Sequence, residues 1–139
     1  MNWYLKVVRD NYANFQGRAR RQEYWMFTLI NILIIFGVAL LSGLFVGNDD
    51  TAFIPMILIG VYFLAILIPS IAVTVRRLHD TGKSGWYYLL SFIPYVGGII
   101  MLVFTVQNGD VGTNKYGPDP KNPEIDNEID DIGKPLLDQ

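Results

Sequence analysis

Residues 52–75 read AFIPMILIGVYFLAILIPSIAVTV, 24 positions without a single Asp, Glu, Lys, Arg or His. A helix needs about 20 apolar residues to cross the hydrocarbon core of a bilayer. Residues 26–46 and 86–106 supply two more such stretches, each 21 residues long and equally free of charge. A soluble core helix of this length would keep polar residues on a water-facing side, whereas these stretches are apolar all the way round. The sequence therefore predicts an all-α, polytopic transmembrane protein with three spanning helices. The first stretch is too long for the apolar core of a secretory signal and has no small-residue cleavage site behind it, so it is expected to stay in the protein.

The three stretches differ internally. Gly47 to Thr51 make a very short link after the first, which predicts a helical hairpin of spans one and two. Pro55 lies at the start of span two, where a missing amide is tolerated, while Pro69 in its second half predicts a kink or an open carbonyl. The third stretch carries Ile93-Pro94-Tyr95-Val96-Gly97-Gly98 at its centre, a weak point that sets against the expected third crossing the alternative of a segment broken, or re-entrant, at Pro94–Gly98. Ser84 stands where it can cap that segment. Ahead of span one, Leu5, Val8, Tyr12 and Phe15 recur at helical spacing and predict a short interfacial helix at the amino terminus. Residues 121–139 hold two lysines against six acids and are expected to form a disordered acidic tail behind a membrane domain of residues 1–120.

Charge placement predicts orientation. Five Lys or Arg precede span one, none lie between spans one and two, and three lie in Arg76–Gly85. Short cytoplasmic loops carry such an excess, so the amino terminus and the 76–85 link are expected in the cytoplasm. Three crossings then put the carboxyl-terminal tail outside. Trp3, Trp25 and Trp86 all fall at that same cytoplasmic interface.

The residues that could carry chemistry gather just outside the spans on that side. Arg18, Arg20, Arg21 and Glu23 precede span one, and Arg76, Arg77, His79, Asp80 and Lys83 follow span two; pairs such as Glu23 with Arg76 or Asp80 with Arg20 are geometrically reasonable. One reading makes them topology determinants that partner each other and touch lipid phosphates. The other makes Arg18, Arg21, Arg76, Arg77, His79 and Asp80 a site for an anionic head group, with His79 and Asp80 available for proton transfer. No catalytic triad or in-span carboxylate pair is present, so no catalytic residue is assigned. With no cysteine and one histidine, metal binding fails on ligand count, and no cofactor is expected. Nucleic-acid binding would need more basic surface. A transporter normally places ionisable groups within its spans, and these spans have none. Ala39, Gly43 and Gly47 lie four apart, a stripe where another helix could approach. Membrane lipids are thus the expected partners, with another membrane protein or a second copy as the alternative.

Three segments resemble a known family. FQGRARRQEYW at residues 15–25, with Gly17, Glu23 and Trp25, is similar to the F-x-G-R-x-x-R-x-E-[FY]-W signature of bacterial inner-membrane proteins grouped as domain of unknown function 805. RRLHDTGKSGW at residues 76–86, with Ser84, Gly85 and Trp86, resembles its central block. Asn114, Gly117, Pro118, Asp119 and Pro120 match its closing G-x-N-x-[YF]-G-P-D-P motif. The resemblance spans about residues 10–120 and implies a small protein of the bacterial cytoplasmic membrane with no established activity. It bears on topology as well: if the third motif packs against the first two, the chain must return to the cytoplasmic face. The functional expectation is a non-enzymatic membrane protein that binds lipid head groups or a partner. A membrane enzyme or transport accessory acting on an anionic ligand is the alternative.

Overall fold

The computed structural model describes residues 2–43 and 53–122. The short link with Asp49 and Asp50, Gly47 of the small-residue stripe and most of the acidic tail lie outside the described residues. Four α-helices follow in order: α1 (Asn2–Leu5), continued by a π-helical turn over Lys6–Asp10, then α2 (Arg21–Gly43), α3 (Phe53–Asp80) and α4 (Gly97–Val106). A 3-10 helix over Gly85–Phe92 precedes α4. Among the described residues there is no strand, only an isolated bridge between Asn114 and Gly117. The chain divides into two compact units, Met1–Asn14 with Gln22–Val73, and Phe15–Arg21 with Thr74–Gln139.

Among the described residues, helices α2 and α3 are the two elements long and apolar enough to cross a membrane. Phe27 on α2 and Ile66, Ala72, Val73 and Leu78 on α3 are buried, but many apolar side chains of both helices are bare: Leu33 is 58%, Phe36 60% and Leu64 70% exposed. In water, that much bare hydrocarbon would be unfavourable by roughly 25 cal/mol per Å²; facing acyl chains it costs nothing. Ala39 and Gly43 are exposed on α2 as well.

Inside the first unit, polar groups on these apolar helices are used locally. Asn31 donates to Phe27 O at 2.7 Å and accepts from the Tyr62 hydroxyl at 2.5 Å, which joins α2 to α3. Tyr4 stacks on Phe27 with centroids 5.7 Å apart, setting α1 against α2. Lys6 Nζ lies 3.2 Å from the buried Glu23 carboxylate. Pro69 sits inside α3 without ending it. Having no amide, it cannot bond the carbonyl of Ala65 one turn earlier. The Tyr12 hydroxyl donates to Ala65 O at 2.6 Å, so a side chain from beyond the π-helical turn takes the acceptor that the proline leaves open.

In the second unit, residues 86–106 are not the single spanning helix expected. The 3-10 helix, capped by Ser84 accepting from Trp86 N at 3.4 Å, ends at Phe92. Ile93 is extended, as a residue before proline is biased to be. Tyr95 follows at φ 65°, a left-handed conformation uncommon for a non-glycine residue. A Cβ on Gly97 would strike Leu90 O, with Ser91 O at 2.8 Å, so only glycine lets α4 start against the segment it has just left. The break that the sequence offered as the alternative at Pro94–Gly98 is therefore present, and it reverses the chain. Tyr87 meets Phe104 edge to face at 5.9 Å, and Lys83 Nζ donates to Gln107 Oε1 at 3.1 Å. A straight helix would hold Tyr87 and Phe104 about 25 Å apart at 1.5 Å per residue.

Two boundaries also move. Helix α3 continues through Arg76–Asp80, which the sequence reads as the start of a link, and α2 begins at Arg21 rather than at the first charge-free residue.

Replacing Tyr12 by Phe should lower stability by about 1 kcal/mol, the net worth of one hydrogen bond. Thermal unfolding of the detergent-solubilised protein reads the change. In a Pro69→Ala background, where the Ala65 carbonyl regains an amide, the same substitution should cost close to nothing.

Candidate functional site

The end of helix α3 poses a backbone problem. Its last carbonyls have no partner within the helix, and basic side chains are favoured beside them. The chain meets the problem with turns of its own and with two distant segments. Leu78 O accepts from Thr81 N at 3.1 Å and Lys83 N at 3.0 Å, and His79 O accepts from Gly82 N at 3.1 Å. Asn114 Nδ2 adds a second bond to His79 O at 2.9 Å. Asp110 N donates to Asp80 O at 2.7 Å, and Ala19 N to Arg76 O at 3.0 Å. Residues 15–21 and 107–119 thus cap one helix end from two sides.

Asp80 lies at the centre, 2% exposed. Arg18 Nε donates to Asp80 Oδ1 at 3.0 Å, and Arg77 donates through its terminal nitrogen to Asp80 Oδ2. Each guanidinium spends its other donors on backbone carbonyls. Arg18 reaches Gly112 O at 2.6 Å, Gly117 O at 3.4 Å and Asp110 O at 2.5 Å. Arg77 reaches Thr105 O at 3.1 Å, Ala19 O at 3.5 Å and Gln107 O. A guanidinium has five N–H donors in a fixed fork, and both forks are turned inward and buried. A Cβ on Gly109 would run into the Asp80 carboxylate, so the chain can pass that close only with glycine there.

The closing motif is built around the same point. Asn114 Oδ1 accepts from Tyr116 N at 2.9 Å, and Asp119, buried, accepts from Gly112 N at 3.3 Å and Lys121 N at 2.8 Å. Arg20 donates to Pro120 O, and the exposed Arg21 donates to Val106 O at 3.0 Å. The segment before α2 and the segment after α4 are therefore in direct contact. Residues 110–120 thus lie against Arg18 and Arg20.

His79 faces differently. Its Nδ1 donates to Gly17 O at 3.2 Å, and its ring stacks on Tyr116 with centroids 3.8 Å apart and planes 5° from parallel. His79 lies past Val75, where the apolar stretch ends. Burial holds its imidazole below the ordinary 6.5; the Gly17 bond opposes this and nearby Lys115 adds to it. A shallow pocket of about 270 Å³ opens beside it, lined by Phe15, Gln16, Gly17, His79, Lys115 and Tyr116.

Of the six candidate residues, the structure brings Arg18, Arg77 and Asp80 into one ion cluster, with His79 one turn of contact away through Gly17 and Asn114. Arg76 is buried at 3% exposure, its carbonyl bonded to Ala19, while Arg21 is on the surface. Trp86 is exposed, Trp25 lies edge-on to Tyr24 at 5.6 Å, and a Cβ on Gly85 would meet Val75 Cγ1 at 2.8 Å. Sequence reasoning did not single out Gly109, Asp110, Lys115 or the carbonyls of Thr105 and Gln107, and it read Phe15 only as part of the amino-terminal helix and first motif and Tyr116 only within the closing motif. Among the described residues, no group of three His, Cys, Asp or Glu side chains is placed to hold a metal ion.

Membrane-length apolar helices, a reversed third segment and a buried Arg–Asp–Arg cluster at one helix end define a small helical protein of membrane character. The chain belongs to the family described as protein of unknown function DUF805, whose model matches residues 12–118. It is 46% identical over 125 residues to "Inner membrane protein YhaH" of Escherichia coli strain K12, covering 87% of this chain and 98% of that protein. "Inner membrane protein YhaI" of the same strain is 46% identical over 124 residues, at 87% and 97% coverage. "Uncharacterized protein YiiR" is 27% identical over 137 residues, at 78% and 87%. No solved structure matches.

Asp80→Asn should strip the compensation from two buried guanidiniums and cost about 3–5 kcal/mol, read as loss of monodisperse folded protein in detergent. Arg21→Gln, on the surface, should change stability by less than about 1 kcal/mol. The His79 shift gives a sign for pH. The folded form binds fewer protons than the unfolded one, so the stability is present above about pH 6.5 and lost as pH falls through the depressed folded value. The melting temperature should drop on acidification, and His79→Gln should flatten that drop.

Proposed function

We propose that the protein is an integral protein of the bacterial cytoplasmic membrane that works by binding and not by catalysis. Helices α2 and α3 span the bilayer, residues 86–106 form a re-entrant hairpin, and the polar cluster faces the cytoplasm. The observation that carries this reading is the inward commitment of Arg18, Arg77 and Asp80. Their donors and acceptors are engaged with one another and with backbone carbonyls, and both guanidiniums lie under cover. A proton-transfer site or an anion-turnover site would need those groups turned toward a ligand. The relatives' name, inner membrane protein, supports the location.

Two further points support the topology. The 3-10 helix of 8 residues and α4 of 10 residues rise about 16 Å and about 15 Å, half of a hydrocarbon core near 30 Å. The eight basic residues flanking α2 and ending α3, against none between the two, favour the cytoplasm for the cluster. Both the amino-terminal segment and residues 107–120 then lie inside. The surface around the cluster is what meets lipid head groups or a partner membrane protein, and exposed Ala39 and Gly43 offer α2 a face for close helix approach.

A carboxyl-terminal fusion to green fluorescent protein should fluoresce in cells, and a fusion to alkaline phosphatase should be inactive. An active phosphatase fusion would contradict the two-span topology.

A further inference from the structure

The pocket beside His79 is not part of the ion cluster, and the cluster's chemistry does not account for it. Its walls are Phe15, Gln16, Gly17, Lys115 and the stacked pair His79 and Tyr116. No carboxylate lines it. Arg18 and Arg77 spend their donors inward, Arg21 and Lys83 are bonded to Val106 O and Gln107, and the described contact of Lys115 is with the Tyr116 ring, 4.9 Å from nitrogen to centroid. Lys115 is exposed and near enough to disfavour the charged form of His79. Lys115 is thus the one formally charged side chain among the pocket's lining residues, and the Asp110 carboxylate, bonded to Asn114 Nδ2 at 3.1 Å, stays outside that lining. The Tyr116 hydroxyl has no partner among the described residues.

Aromatic walls alone would also suit a quaternary or primary ammonium. Here the ammonium of Lys115 already lies over Tyr116, and its charge repels a second cation. An anion gains from the same charge. At about 270 Å³ the space falls just under the ~300 Å³ at which pockets begin to hold drug-sized ligands. That is room for a phosphate and its first substituents, not for a nucleotide. Phe15, 43% exposed at the mouth, is an apolar surface for whatever carries the phosphate.

The geometry points to a phosphate-binding site in this pocket, with Lys115 as the charged contact, the Tyr116 hydroxyl as a hydrogen-bond donor and Phe15 against the apolar part of the ligand. The phosphate belongs to a lipid head group or to free phosphate; the recognition chemistry is the same. The inference rests on the membrane-embedded reading, which places a pocket at the end of α3 within reach of head groups.

The test is native mass spectrometry of the full detergent-solubilised chain titrated with phosphatidylglycerol, alongside thermal shift with inorganic phosphate. Lys115→Gln should weaken binding about tenfold, the loss of one charge-assisted hydrogen bond, and Lys115→Arg should retain it. Lys121→Gln, the same charge change on the exposed chain outside the pocket, should leave it unchanged. Loss confined to phosphatidylglycerol assigns a lipid, and loss confined to inorganic phosphate assigns the free anion; either supports the site. Equal effects of Lys115→Gln and Lys121→Gln, or no effect of either, would overturn it. If the carboxyl-terminal reporter instead lies outside while Lys115→Gln still loses binding, the site stands and only its side of the membrane changes.

Discussion

One carboxylate between two buried guanidiniums sets the terms for the polar half of this protein. Asp80 is held by Arg18 and by Arg77, and the three side chains are almost wholly out of solvent. Taking such charges out of water costs several kcal/mol per ion unless the remaining donors and acceptors are met. They are met by backbone from three places: the segment before α2, the end of α4, and the loop after it. The arginines thus tie those segments together. Moving any one away would strand a buried charge, so the contact fixes the arrangement whatever its net contribution to stability.

The same economy of polar groups runs through the apolar half. With no water in the bilayer core, each backbone group freed there needs a protein partner. Pro69 frees the Ala65 carbonyl, and Tyr12 takes it. Asn31, the amide within α2, closes one bond to its own helix and one to Tyr62. Ser42 and Ser70 bond the carbonyls four residues back, Val38 O and Ile66 O, each at 2.7 Å. These hydroxyls and amides satisfy helices, which is the ordinary use of isolated polar residues in apolar segments.

How far the fold could be read in advance depended on which atoms carry the information. The charge-free stretches 26–46 and 52–75 named α2 and α3, because lipid-facing helices write their surroundings into composition. Pro94 to Gly98 marked the break, since a proline without an amide and glycines without a side chain are visible as letters. That the break reverses the chain was left open, because an apolar segment looks the same whether it crosses or folds back. The convergence of Arg18, Arg77 and Asp80 followed from their positions at neighbouring span ends, but the choice of Arg18 over Arg20 did not. The acceptors that position the arginines are the carbonyls of Thr105, Gln107, Asp110 and Gly112, which any residue type supplies. Gly109 is explained only once Asp80 is seen pressed against it.

The central claim is that the chain leaves the polar cluster at Lys83 and returns to it at Gln107. The protein has no cysteine, so Lys83→Cys and Gln107→Cys introduce its two thiols at positions whose long side chains meet at their tips. In native membranes treated with a short bis-maleimide, which bridges thiols too far apart for a disulfide, the account predicts efficient intramolecular cross-linking of the doubly substituted chain. Spin labels at the same two positions separated by about 30 Å, the span of a membrane-crossing helix, with no cross-link formed, would contradict it.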